Sequence, residues 1–191
     1  MEEQKLINQL RLDLASGQNK VEGYFGIDKA PGSTVDAVVD LEVFPWPIES
    51  DSAEDIVCNH YVEHTSDLIK FMDEVYRILK PGGKIKVVAP YYTSIRCWQD
   101  PTHKRAISDA TFLYFNKGWR EVNKLDHYDI KSDFDFTYGY DMNALWAGRA
   151  EEARNFAITH YWNIVNDIHV VLTKREPEPI KVDSVKTEEP K

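Results

Sequence analysis

The segment "LDLASGQNKVEGYFGID" (residues 12–28) decides the fold predicted from this sequence. Two short apolar runs, each as long as a buried strand, flank a turn of small residues. The turn Ala15-Ser16-Gly17 allows a ligand to approach the main chain closely. Asp28 closes the second run, where a carboxylate can accept hydrogen bonds from both hydroxyls of a ribose. The segment therefore predicts two strands with a nucleoside site at their carboxyl ends.

Further apolar runs downstream predict the other strands of the same sheet. They are bounded by turn signals and lie at 35–41, 54–60, 84–90, 134–140 and 167–174. Strands that alternate with helical stretches are typical of an α/β fold with a mostly parallel sheet. In such a sheet, ligands bind in the crevice at the carboxyl ends of the strands. Asp40, which ends the third run, is therefore expected at the same edge as Asp28.

The best helix signal lies between the fourth and fifth predicted strands, at 65–83. Thr65 or Ser66 is expected to cap its start, and Pro81 with two glycines is expected to stop it. Its apolar residues recur with the 3.6-residue period of one helix face. These are Leu68, Ile69, Met72, Val75, Tyr76 and Leu79.

Two later stretches also predict helices. One covers about 109–117, with Ser108 as its cap and Gly118 just past its end. The other covers about 143–162, between the last two predicted strands. No helical period connects the first and second strands or the third and fourth, although parallel strands need a long crossover. Some crossovers must therefore be loops, and one face of the sheet is expected to be thinly covered or to pack on a second copy in a homo-oligomer.

Composition narrows the class of protein. The chain has 191 residues and a net charge of −9, which disfavours tight binding to nucleic-acid phosphates. It lacks an apolar run of the ~20 residues that a membrane helix needs, and its start lacks a secretory pattern, so a soluble cytoplasmic protein is expected. Cys58 and Cys97 are expected to be buried free thiols, because two cysteines make no disulfide framework.

The order of these signals resembles that of class I S-adenosylmethionine-dependent methyltransferases, in particular their compact branch. The matching segments are "LDLASGQNKVEGYFGID" (12–28), "VVDLEVFPWPIESDSAEDIVCNHYVEH" (38–64) and "FMDEVYRILKPGGKIKVVAP" (71–90). The resemblance implies a Rossmann-like fold with a mostly parallel seven-stranded sheet, an antiparallel last strand and reduced helices. One domain is predicted at 1–175, and 176–191 is predicted to be a disordered charged tail because it has prolines, many charges and no apolar period.

The same resemblance implies a cofactor site for S-adenosylmethionine and its product S-adenosylhomocysteine. Asp28 would bind the ribose, and Asp40 with Leu41 would hold the adenine. Asn59 and His60 would flank the sulfonium. The cofactor-binding residues implied in this way are Asp13, Leu14, Ala15, Gly17, Asp28, Lys29, Asp40, Leu41, Asn59 and His60.

The first turn departs from the family pattern. The stretch from Asp13 to Gly17 would face the methionine part of the cofactor, mainly through backbone groups. The glycine that usually precedes the small residue is Ala15 here, and the glycine-rich loop is reduced to Gly17 followed by "QNK". A small side chain should still allow close approach of the cofactor.

The segment 91–118 falls where such an enzyme places groups over the methyl acceptor. His103 is a candidate general base, because histidine titrates near neutral pH, and Asp100 could orient it. Aromatic and basic residues of the segment could wall the acceptor site or hold an anionic acceptor. The substrate-binding candidates are Tyr91, Tyr92, Arg96, Trp98 and Arg105, with Lys104 as a further cation.

Other functions stay open at this level. A methyltransferase-like protein that works by binding a partner would need no acceptor chemistry. A nicotinamide-dependent Rossmann enzyme is less compatible, because the acid follows the glycine by about eleven residues and not ~20. His60 and His64 could share a helical face with a metal, but "HYVEH" is not the "HExxH" pattern, so no metal is predicted. The preferred function is methyl transfer to a small-molecule or glycan-like acceptor.

Overall fold

The computed structural model of this protein describes residues 7–176, so the predicted tail lies outside the described residues apart from Glu176. The strands are β1 (Arg11–Leu14), β2 (Phe25–Asp28), β3 (Ala37–Val38), β4 (Ala53–Asn59), β5 (Leu79–Pro90), β6 (Phe134–Met142) and β7 (Val165–Lys174). The helices are α1 (Leu68–Ile78), α2 (Ile95–Gln99), α3 (Lys117–Val122), α4 (Ala144–Ala147) and α5 (Glu151–His160), with a 3-10 helix at Asp109–Phe115.

The seven strands form one sheet in the order β3-β2-β1-β4-β5-β7-β6. Strands β1 to β5 pair in parallel, whereas β7 pairs antiparallel with both β5 and β6. The predicted mostly parallel sheet with an antiparallel last strand is therefore confirmed. The chain order reverses at β1, between β2 and β4, which is where an open α/β sheet forms its binding crevice.

The core lies around the central strands of the sheet. Leu12 and Leu14 of β1 are fully buried, as are Ile56 of β4 and Ile85 of β5. Their alternation along each strand places them in the hydrophobic core that α1 covers with Phe71. The predicted burial of both cysteines as free thiols is confirmed.

The connection between β3 and β4 is a loop and not a crossover helix. No helix occurs in the described chain between β1 and β4, as the short connections predict. The indole of Trp46 is buried against Phe71, with ring centroids 5.4 Å apart. The backbone N–H of Trp46 donates to Oε1 of Glu74 at 2.7 Å, and Arg77 holds the same carboxylate at 2.6 Å. These contacts fasten the loop to α1, because a buried N–H needs an acceptor.

The cap of α1 differs from the prediction. The helix begins after Asp67, whose side chain accepts the backbone N–H of Lys70 at 3.0 Å, and not after Thr65 or Ser66. The reason is tertiary, since the backbone N–H of Ser66 is already held by the carboxylate of Glu42 at 3.0 Å. A residue anchored in this way belongs to the preceding loop.

The helix predicted at 109–117 is also different. A 3-10 helix at Asp109–Phe115 follows Ser108, whose backbone N–H donates to the Thr111 hydroxyl at 3.0 Å. Asn116 separates the 3-10 helix from α3. Gly118 therefore lies inside α3 and not just past the end of a helix. The Asn116 side chain caps α3 by accepting the Trp119 N–H at 2.8 Å.

The helical stretch predicted at 143–162 is broken into α4 and α5. Gly148 forms the C-cap of α4, and α5 begins after Ala150. Among the helices in residues 7–176, none combines the length and apolar character that a membrane crossing requires.

Candidate active site

The carboxyl ends of β1 to β4 place four short loops at one edge of the sheet. These strands run parallel, so the residues that follow them converge there. Ala15 follows β1, Asp28 ends β2, Asp40 follows β3, and His60 follows β4. The structure thus brings together positions that are up to 45 residues apart in the chain (60 − 15).

The first cavity opens at this edge and has a volume of about 390 Å³. Such a volume is within the usual range for a small-molecule site. Five predicted cofactor residues line it, together with Lys104 and four residues that were not among the predicted site residues. The lining residues are Ala15, Asp28, Lys29, Asp40, Leu41, Glu42, Tyr61, His64, Thr102 and Lys104.

The second cavity, of about 240 Å³, lies beside the first. His64 lines both, so the two spaces adjoin. Four predicted residues, one that follows β4 and three from the 91–118 segment, meet here with four that were not predicted. The lining residues are His60, Glu63, His64, Pro90, Arg96, Gln99, Asp100 and His103.

Known proteins that are similar in sequence or fold include methyltransferases. Residues 13–87 match the methyltransferase domain family. A solved S-adenosylmethionine-dependent methyltransferase from Archaeoglobus fulgidus is similar in structure, with a TM-score of 0.59 and 17% identity over 87% of this chain and 86% of that chain. Residues 13–87 are therefore similar to a methyltransferase domain, and the sheet has the fold of the solved methyltransferase.

Two other solved structures have the same fold. A Mesorhizobium loti S-adenosylmethionine-dependent methyltransferase has a TM-score of 0.52 at 13% identity, covering 89% of this chain and 93% of that chain. A chain from the Haloferax volcanii complex of the Trm112 methyltransferase activator with a methyltransferase has a TM-score of 0.55 at 16% identity, covering 90% and 84%. No curated protein sequence matches the chain.

Asp28 is held in place by two backbone donors. The N–H of Gly17 donates to Oδ2 at 3.0 Å, and the N–H of Ala30 donates to Oδ1 at 2.9 Å. An ionised carboxylate can accept about four hydrogen bonds, so each oxygen keeps a lone pair for a ligand in the first cavity. The carboxylate is thus fixed in position yet still able to bind two hydroxyls.

Other predicted cofactor residues have structural roles. Asp13 is buried and accepts the N–H of Val21 at 2.7 Å, which closes the loop after β1. Burial raises the pKa of Asp13, and the bond from Val21 opposes that rise. Leu14 is fully buried in the core, and Asn59 is exposed at the end of β4. None of the three lines either cavity, so a contact with the cofactor would be made through their backbone or by movement.

Ala15 stands where the family pattern has a glycine, and its backbone adopts a conformation that glycine favours. Its φ is 58°, in the left-handed region that glycine adopts without steric cost. The position therefore keeps the conformation of a glycine while carrying a methyl group into the first cavity. The turn is strained, and it narrows the site by one methyl group.

We expect Ala15→Gly to stabilise the protein by about 0.5–1 kcal/mol. Removing the left-handed alanine recovers about 1–2 kcal/mol, and the greater freedom of glycine in the unfolded chain offsets about half of that. Urea unfolding measures the difference. Ala153→Gly is the matched control, because Ala153 is exposed within α5 and its replacement should cost about 1 kcal/mol. Equal destabilisation by both changes would contradict the strain.

Glu42 is a cavity residue that sequence reasoning missed. Its carboxylate accepts the Ser66 N–H at 3.0 Å and the Tyr61 hydroxyl at 3.2 Å. Burial acts to raise the pKa of Glu42, but the hydrogen bonds from Ser66 and Tyr61, with the Thr65 hydroxyl nearby, outweigh it and lower the pKa to about 2. The signal in the sequence is weak, because nothing local links residue 42 to the loop before α1.

Low pH should therefore reduce the stability that the Glu42 carboxylate contributes to the protein. The pKa of Glu42 is lower in the folded chain than its usual 4.5, so its stabilisation is complete above pH ~4.5 and is lost as the pH falls towards 2. We expect Glu42→Gln to cost about 1–2 kcal/mol at pH 7, after allowing for solvent screening, and less at pH 3. Urea unfolding at both pH values tests this. Glu22→Gln, in an exposed loop, is the control, and a pH-independent cost for Glu42→Gln would contradict the shift.

His103 lies at the floor of the second cavity, with its side chain 9% exposed. Nδ1 lies 2.9 Å from the carbonyl oxygen of Cys97. A carbonyl only accepts, so Nδ1 carries the proton and Nε2 keeps its lone pair. Asp100 Oδ2 lies 3.8 Å from Nε2, so its carboxylate would stabilise the ring once Nε2 takes up a proton. The hydrogen bonds from Thr102 lower the pKa of Asp100, which keeps it ionised.

The predicted substrate residues separate into two groups. Arg96 lines the second cavity, but its guanidinium already pairs with Asp167 at 2.6 Å. Arg105 lines neither cavity and donates to the carbonyl oxygens of Thr65 and Ser66 at 2.6 and 3.1 Å, so it fastens the loop before α1.

The aromatic candidates also lie outside both cavities. Tyr91 is buried, and burial raises its pKa well above the usual value. Tyr92 and Trp98 are exposed, and the indole N–H of Trp98 donates to the Tyr92 carbonyl at 3.0 Å. These two side chains are part of the exposed surface and not the wall of either cavity.

Proposed function

We propose that this methyltransferase domain transfers a methyl group from S-adenosylmethionine to a small, hydroxyl-bearing acceptor of the glycan type. The observation that carries the proposal is the shared wall of the two cavities. His64 lines both, so a cofactor in the first cavity and an acceptor in the second would meet beside it. Adjacent sites of this kind supply the proximity on which group transfer depends.

The residues of the first cavity fit the cofactor. Asp28 offers two fixed oxygens to the ribose, with Lys29 beside it. Asp40 and Leu41 lie next along the wall, where we place the adenine. The backbone of the turn from Asp13 to Gly17 would face the methionine part, since Gly17 leaves open space at its Cα.

The residues of the second cavity fit an acceptor that must lose a proton. S-adenosylmethionine supplies an electrophilic methyl group on a sulfonium. His103 Nε2 is a free lone pair within the cavity, so we assign it the proton of the acceptor hydroxyl. Asp100 would stabilise the imidazolium that forms, because its carboxylate lies 3.8 Å from Nε2. His60, with Asn59 before it, would flank the sulfonium from the end of β4.

Charge favours a neutral acceptor over a strongly anionic one. The guanidinium of Arg96 is already paired with Asp167, and Asp100 is ionised beside it. A polyhydroxyl compound could use such mixed donors and acceptors without an unpaired charge. The exposed ring of Trp98 offers a flat apolar surface of the kind that packs on a sugar ring.

The test is to measure S-adenosylhomocysteine formation by the full chain with panels of neutral sugars, sugar phosphates and small amines. We expect turnover with neutral hydroxyl acceptors, and calorimetric titration should show binding of both the cofactor and its product. Binding without turnover on any panel would indicate a methyltransferase-like binding protein. Turnover only with amines would overturn the acceptor class.

A further inference from the structure

Glu63 is the most anomalous ionisable side chain in the described part of the chain. Its side chain is 1% exposed, yet neither carboxylate oxygen has a hydrogen-bond partner. The nearest cation is Nδ1 of His60 at 3.5 Å, which is too distant for a good hydrogen bond. Burying a carboxylate without partners is costly, so a group that satisfies it is expected.

Two imidazole rings lie beside this carboxylate. His64 and His103 pack edge to face, with ring centroids 4.7 Å apart. One ligand atom from each ring and one oxygen of Glu63 all lie within 4.8 Å of one another. The donors come from the β4–α1 loop and from the 91–118 segment, so the fold and not the local sequence assembles them.

The hydrogen bonds of both rings leave one nitrogen of each free. Nδ1 of His103 donates to the Cys97 carbonyl at 2.9 Å. Nδ1 of His64 lies 3.0 Å from the Thr102 hydroxyl, whose own proton is directed to Asp100 at 2.7 Å. The hydroxyl must then accept from His64, so Nδ1 of His64 is also protonated. Both Nε2 atoms keep lone pairs, as in metal-ligating histidines whose other nitrogen is held by a carbonyl or a carboxylate chain.

We propose that Glu63, His64 and His103 bind a divalent transition-metal ion of the Zn²⁺ type. Two imidazole nitrogens with one carboxylate oxygen suit such an ion, whereas Mg²⁺ and Ca²⁺ prefer oxygen ligands alone. The ion would neutralise the buried charge of Glu63. Three protein ligands leave a coordination position open, as in catalytic sites.

The open position would lie in the second cavity, which all three ligands line. Resting on the proposed function, this places the ion where the acceptor hydroxyl binds. Its charge would lower the pKa of that hydroxyl, as a metal does for bound water. The oxygen pair then forms the new bond to the methyl carbon, the carbon–sulfur pair returns to sulfur, and the proton passes to water. Nε2 of His103 would act here as a ligand instead of a base.

Titration of the chelator-treated full chain with Co²⁺ and Zn²⁺ tests the site. We expect one ion per chain and a Co²⁺ visible spectrum that indicates nitrogen and oxygen ligands. Glu63→Gln and His64→Ala should each weaken binding by about a hundredfold or more. His160→Ala is the matched control, because His160 is exposed at the end of α5. Wild-type affinity in Glu63→Gln, or no binding by the wild-type chain, would overturn the proposal.

Thermal unfolding gives a second test that does not depend on activity. Without metal, Glu63→Gln should melt at the same or a higher temperature, since it removes an unpaired buried charge. With excess Zn²⁺, only the wild-type chain should gain in melting temperature. A Zn²⁺-induced rise that persists in Glu63→Gln but is lost in Cys97→Ala would assign the ion to a thiol and overturn the site.

Cofactor binding separates this inference from the proposed function. S-adenosylmethionine should bind equally well with and without chelator, because no residue of the proposed metal site is needed for the ribose or adenine. Turnover that is fully retained in chelator, together with an absent Co²⁺ spectrum, would reject the ion and leave His103 as the base. Loss of cofactor binding in both conditions would reject the proposed function instead.

Discussion

His103→Asn is expected to lower turnover with a hydroxyl acceptor by about a hundredfold or more, while the affinity for S-adenosylmethionine stays unchanged. The asparagine amide can take the place of Nδ1 and donate to the Cys97 carbonyl, which accepts at 2.9 Å. Of the two ring nitrogens, only Nε2 has no replacement in this variant. Steady-state kinetics and calorimetric titration on the same preparation measure the two quantities.

His103→Ala is the matched comparison, because it removes both ring nitrogens. It should lose turnover to a similar degree and should also unfold at a lower temperature than His103→Asn, since the Cys97 carbonyl loses its donor. If His103→Asn keeps full turnover, the histidine serves only to hold the loop. If both variants lose cofactor affinity and turnover together, the 91–118 segment shapes the first cavity and has no separate acceptor role.

The predicted residues of the first cavity could be found from the sequence, because the signals for them are local. Each residue of interest there follows a short apolar run, and parallel strands bring such positions to one edge. Ala15, Asp28 and Asp40 are therefore found together, although only the structure shows that the left-handed backbone at Ala15 takes the place of a glycine. The family resemblance predicted the seven-stranded, mostly parallel sheet with an antiparallel last strand, whereas the order of the strands comes from the structure.

The lining of the second cavity was less predictable from the sequence, because tertiary contacts decide which residues form it. Glu63 is adjacent to His64 in sequence, but its burial and its proximity to His103 depend on how the 91–118 segment folds back over the β4–α1 loop. Arg105 shows the same limit. A basic residue in a loop predicts an anion site, whereas its guanidinium here satisfies backbone carbonyls of 62–66.

The prediction that Thr65 or Ser66 caps α1 was wrong for a related reason. Ser66 has the residue type and position of a helix cap, yet Glu42 binds its backbone N–H from a loop 24 residues upstream. The next side chain with a free oxygen, Asp67, then becomes the cap. Local propensity is overridden wherever a distant side chain has already used the backbone donor.

Asp28→Ala is expected to weaken S-adenosylmethionine binding by at least about tenfold, or ~1.4 kcal/mol. The carboxylate is a predicted cofactor group that the structure fixes, through Gly17 and Ala30, and leaves open to the first cavity. Its loss removes acceptors for two ribose hydroxyls and also frees the Gly17 N–H, which loosens the turn after β1. Calorimetric titration with the cofactor and with S-adenosylhomocysteine measures the effect.

Two further variants make the Asp28 result specific to the site. Asp28→Asn keeps one oxygen acceptor at the same place, so its affinity should lie between those of the wild-type chain and Asp28→Ala. Asp129→Ala removes an exposed acid remote from both cavities and should leave binding unchanged. An unchanged affinity in Asp28→Ala, in a chain that melts normally, would mean that the nucleoside does not lie along β2. The cofactor would then have to enter the crevice in another orientation, and the assignment of the second cavity to the acceptor would fail with it.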